Sequence, residues 1–285
     1  MAITHKSIFA KVKDYKGNPI DEYNKIESFI KTKPCFYNDT IYDMLESNFQ
    51  NCKLLRANFI DLVDCLNSIN NSLETYKTSL FEYLDESLRD ELLDSFLLYC
   101  EIIVCVYFVT YKYYISRSGI WNSSHFDNQL FTQLIEMLKN SLKSMNHDFK
   151  VIDEIDYEVV AFKCNPDAEC VAEKSPQNLK DAIYYYLGAK EKDIDEKQNR
   201  LHVIVDLIEP ILKKYKDNKL VSKVEEYVQL IRHPEIKKKE NMYKWFYEDK
   251  SSYLVELFML CIFVKEYDIS KQTIAEFENT KKKYL

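Results

Sequence analysis

Arg232 and His233 stand side by side where a helical pattern stops at Pro234. A guanidinium grips a phosphate through two parallel hydrogen bonds, and an imidazole titrates near neutrality and can take or give a proton. At a helix end the pair suits phosphodiester cleavage or simple phosphate binding. The competing use is capping: both side chains can bond the last free carbonyls of their helix and favour its negative end. Lys237, Lys238, Lys239 and Lys244 precede Trp245 and Phe246, the interleaving of basic and aromatic residues that single-strand nucleic-acid binders use. Aromatics entering a helix more often anchor it, and Trp245 is read here as core with the lysines on the surface.

Two other constellations carry weaker chemistry. His202, Asp206 and Glu209 lie at i, i+4 and i+7 of one helix, a spacing that could ligate a metal. Their neighbours Leu201, Val205 and Ile208 mark the buried side, so the trio falls at its margin and a surface His–Asp pair is the preferred reading. Arg117 and His125 flank a loop that contains Gly119, Trp121 and Asn122. The sequence has no serine-nucleophile, zinc or paired-carboxylate motif, so no metal and no cofactor is expected.

The elements that must position these residues are helical. Only 3 glycines and 6 prolines occur in 285 residues, while 46% are hydrophobic, which calls for long helices with short connections and excludes glycine-lined phosphate loops. A net charge of −7 argues against a chain that coats nucleic acid through overall positive charge. Local segregation runs the other way: residues 211–244 hold ten Lys or Arg against five Asp or Glu, and residues 82–94 hold six acids and one Arg. The eight cysteines include no Cys-x-x-Cys pair and are expected to be buried thiols of a reducing cytoplasm. Two greasy stretches, 96–109 and 253–264, are each shorter than the ~20 residues of a bilayer span and each contains a glutamate, Glu101 and Glu256. They are expected to be central helices of a soluble bundle, with no membrane involved.

Along the chain, residues 1–34 are weakly patterned, with Gly17-Asn18-Pro19 read as a turn. A helix is expected after the polar cap at 38–40, and Leu55, Phe59, Leu62, Leu66, Ile69 and Leu73 predict one amphipathic helix, with Asn70-Asn71-Ser72 as a candidate kink. A turn at 85–88 leads to an apolar helix over 92–115. Phe126, Leu130, Leu134, Leu138 and Leu142 define the next. The period then changes, and residues 149–152 and 157–162 read as a β-hairpin around an acidic turn. Ser175-Pro176 opens a helix that Gly188 closes, and Asp193 with Glu196 has capping-box spacing before a helix with Leu201, Ile204, Val205 and Ile208 on one face. Further helices are expected over 220–231 and 253–264. The expected architecture is mainly α: antiparallel helical bundles with one small hairpin, divided into an N-terminal helical domain (1–146) and a C-terminal domain of hairpin plus helices (147–285).

The order of hairpin, Ser-Pro helix, Asp195-Glu196-Lys197…Leu201…Leu207…Glu209-Pro210 helix, Arg232-His233-Pro234 turn and Trp245 before a greasy helix resembles the C-terminal region of bacterial abortive-infection-type proteins. Those are related to HEPN helical domains, many of which are RNases of phage defence or toxin systems. The resemblance spans residues 149–269 and implies a HEPN-like C-terminal bundle, with Arg232 binding phosphate and His233 as acid or base in metal-independent RNA cleavage. Catalytic HEPN domains separate Arg from His by four to six residues; here Arg232 and His233 adjoin, and seven residues separate Arg117 from His125. The implied partners are RNA and a second copy or another protein. The alternative is a non-catalytic helical module for protein–protein interaction.

Overall fold

A computed structural model describes residues 17–36, 39–117, 128–153, 155–189 and 194–214. The protein is mostly helical with a small antiparallel hairpin, and it divides into compact units at Met1–Lys163 and Cys164–Leu285.

In the first unit, α1 (Pro19–Thr32) occupies a stretch expected to be weakly patterned. Asn18 caps it by accepting from the Asp21 amide, and Pro19 takes the first turn, where its missing N–H costs nothing. The residues expected to form a turn are thus a helix start. Ile20, Tyr23, Ile26 and Ile30 form the apolar buried stripe, with Pro19 and Glu22 also buried, and the polar residues between them dilute the pattern in the sequence. Gly17 has a packing reason: its amide donates to the Ser144 carbonyl at 3.2 Å, and a Cβ there would lie 1.9 Å from Ser144 Oγ.

A short strand pair, β1 (Pro34–Phe36) and β2 (Asp39–Thr40), leads to α2 (Ile41–Asn48). Thr40 and Asp43 close a reciprocal capping box, which bears out the expected helix start at 38–40. The single helix expected through residues 55–73 is two. After a 3-10 turn come α3 (Lys53–Arg56) and α4 (Leu62–Thr75), with residues 57–61 a tight connection and Asp61 capping the second helix. Asn70-Asn71-Ser72 lies within α4, where helix continues to Thr75. The capping side chain of Asp61 competes for the backbone there, which periodicity alone does not register.

α5 (Glu86–Arg117) is the centre of the unit. Asp85 receives the Leu88 amide at 2.9 Å and starts it. Leu92, Phe96, Tyr99, Cys100 and all residues from Ile102 to Tyr107 are buried, so the middle of the helix is apolar all round, as a core helix must be, while its first turns carry the charges. At 32 residues it is far longer than its apolar run, and Glu86–Tyr113 is long and apolar enough to cross a membrane, although over half of its 18-residue apolar window is buried inside protein. Against it pack α6 (Asn128–Ser144) and the hairpin of β3 (His147–Asp153) and β4 (Glu158–Lys163). Leu134, Leu138 and Leu142 of the expected stripe are fully buried, Leu130 is partly buried, and Phe131 joins them in the core. Asn146 ends α6 with φ of 62°, a left-handed conformation that asparagine tolerates.

Glu101 accepts the Ala161 amide at 2.6 Å. The glutamate of the greasy helix therefore secures β4 to α5. The hairpin expected to open the C-terminal domain belongs to the first unit, because β4 packs on α5 and β3 on α6.

In the second unit, α7 (Pro166–Lys174) is a helix that the sequence pattern does not announce; Asn165 caps it and Pro166 stands in its first turn. α8 (Gln177–Gly188) ends at Gly188 as expected, and α9 (Ile194–Lys214) buries Leu201, Ile204, Val205 and Ile208. α8 packs against both neighbours. Glu173 of α7 receives Tyr184 Oη at 2.8 Å and also the Lys180 ammonium, tying α7 to α8. Arg200 of α9 lies over the Tyr185 ring at 4.7 Å, which joins α9 to α8.

Candidate functional site

Arg232, His233, Lys237, Lys238, Lys239, Lys244 and Trp245 lie outside the described residues, as do His125, Asp193 and the helices expected over 220–231 and 253–264. Arg117 is the last residue of α5. On α9, His202 and Glu209 are half-buried and Asp206 is exposed, and Glu209 pairs with Lys213 at 3.2 Å. Among the described residues no group of three or more His, Cys, Asp or Glu is placed to hold a metal.

Three other arrangements stand out, and of these the sequence points only to the buried thiols. The first is a polar clamp between α1 and α4. Tyr23, 1% exposed, donates its hydroxyl to Glu74 Oε1 at 2.5 Å and lies 3.1 Å from Glu27 Oε1. Asn70 Nδ2 donates to the same hydroxyl at 3.3 Å. Lys77 Nζ then closes the cluster at 2.6 Å from Glu27 and 3.3 Å from Glu74, and Lys31 reaches Glu27 at 2.6 Å. Burial and the bond to Glu74 push the Tyr23 phenol far up, so it stays neutral. Burial also pushes the Glu27 carboxyl up, but bonds and charge from Lys31 and Lys77 outweigh it and hold the group below its usual value. Its bond to Glu27 raises Lys77. Every ion is matched, so the cluster fastens two helices. The i, i+4 pair Glu27/Lys31 and the i, i+3 pair Glu74/Lys77 are legible in the sequence; that Tyr23 joins them is not.

The second is a set of buried thiols. Cys52 follows the 3-10 turn and Cys105 lies mid-α5, and both belong to the apolar core with Cys65. A hydrogen bond from Cys52 holds Cys105 below its ordinary value while raising Cys52, and burial pushes Cys65 up to about 12. Cys52 and Cys65 are 0% exposed and Cys105 5%, so these are core thiols, as the sequence leads one to expect. Cys164 is half-buried and Cys170 exposed.

The third is a set of exposed apolar side chains on α3, in the connection to α4, at the start of α4 and in the β3–β4 turn. Ile60 is 73% exposed, Ile155 75%, Leu54 42% and Val63 40%. Lys53 Nζ reaches Asp156 Oδ1 at 3.4 Å, which brings α3 beside the hairpin turn. The backbone beneath these side chains is fixed. Asp64 Oδ2 accepts the Ile60 amide at 3.1 Å, and the Arg56 guanidinium donates to the Ile60 carbonyl. Asp153 Oδ1 accepts the Ile155 amide at 2.6 Å. Two residues on, Tyr157 has φ of 55°, a strained conformation for a bulky side chain. Its ring stacks on Phe108 at 5.7 Å and 5°, with Lys112 Nζ 5.1 Å from the ring centre, so α5 holds the turn in place.

No family model matches the chain, and neither a curated protein nor a solved structure matches it.

Proposed function

We propose that this protein is a helical interaction module whose first unit presents a fixed apolar surface to another protein. The observation that supports the reading is the exposure of Ile60 and Ile155 on backbone held by Asp64, Arg56 and Asp153. Exposed isoleucines on a loose loop would be unremarkable; on a braced one they offer area at little ordering cost. In this reading α5 is the core helix of a protein of the reducing cytoplasm, supported by its burial, by the Glu101 bond to β4 and by the free thiols. The test compares proteins retained by the full chain and by Ile60→Asp, both checked for equal helicity. Identical retained sets would sink the reading.

A second reading rests on the residues at 211–244 and on the resemblance to abortive-infection and HEPN proteins: a bacterial phage-defence or toxin-like protein that cleaves or binds RNA without a metal. Arg232 would hold phosphate, His233 would move the proton, and Lys237, Lys238, Lys239 and Lys244 would follow the backbone. RNA cleavage in EDTA by wild type and by His233→Ala tests it. Loss of cleavage in the variant is the expected result, and equal rates, or none in either protein, would remove the catalytic role.

A further inference from the structure

No further inference is drawn: the strongest candidate, the pair of buried unpartnered polar atoms beside the α1–α4 clamp at the Tyr99 hydroxyl and Asn70 Oδ1, belongs to the clamp already described, and nothing among the described residues brings the two atoms to one space that a ligand could fill.

Discussion

The α1–α4 clamp and the α3–hairpin surface invert the usual placement of residue types within one unit. At the clamp, Tyr23 and Asn70 are buried and Glu27 is half-buried; Glu74 accepts the Tyr23 hydroxyl, Asn70 donates to that hydroxyl, and Lys31 and Lys77 match Glu27. At the surface, isoleucines stay in water while charged side chains hold the backbone below them. Buried charge demands a partner inside the fold, because an unmatched one costs several kcal/mol. Exposed apolar area makes no such demand on the fold, which is why it is available to a partner. Disturbing the first should therefore change stability, and disturbing the second should change association.

The largest effect on that contrast is expected from apolar truncation beneath the clamp. Ile26, fully buried on α1, should lose about 2–5 kcal/mol of unfolding free energy on Ile26→Ala by urea titration, with no direct effect on the proteins that the chain retains. Next comes Lys77→Met, which leaves Glu27 with Lys31 alone and Glu74 without its lysine. A loss of about 2 kcal/mol is expected, short of the deep-burial range because Lys77 is 39% exposed. If Lys77→Met instead lowered association at unchanged stability, the separation of the two regions would fail.

Acid and base titration of the clamp gives a smaller effect with a defined sign. The folded Glu27 carboxyl titrates below its unfolded value of about 4.3. It thus contributes stability that is complete above that pH and drains away as pH falls through the folded value. Lys77, raised by Glu27, contributes stability below its unfolded value of about 10.4 that is lost as pH rises through the folded one. Urea midpoints should fall below about pH 4.3 and again above about pH 10.4. Lys77→Met should abolish its share of the alkaline decline and reduce the acid one. Smallest of all is the expected stability change for Ile60→Asp, within about 0.5 kcal/mol in denaturant, against the loss of retained protein expected of the same variant.

Long periodic segments are legible in the residue spacing alone. The stripe Leu134, Leu138, Leu142 and the face Leu201, Ile204, Val205, Ile208 are buried where the three- and four-residue steps put them. The Thr40 cap, the hairpin and the Gly188 helix end are likewise local signals with local causes. The fold departs from the pattern where local signals conflict. Gly17-Asn18-Pro19 has turn composition, yet Asn18 caps α1 and Gly17 permits close approach to Ser144. Apolar periodicity continues from Leu55 to Leu73, yet Asp61 restarts the helix. Of the site residues read from the sequence, His202, Asp206 and Glu209 fall on α9 as expected, while Arg232, His233 and the lysines at 237–239 and 244 lie outside the described residues.

Glycine and proline scarcity, caps and apolar spacing set the class of the molecule, because they act over a few residues and need no distant partner. Only the packing of the chain settles that the hairpin joins the first unit, that Glu101 of the greasy helix holds β4, that Tyr23 meets Glu74 fifty-one residues away, and that Ile60 and Ile155 remain in water. Those outcomes depend on which surfaces meet in three dimensions. No spacing along the chain records the distance between α3 and the hairpin turn.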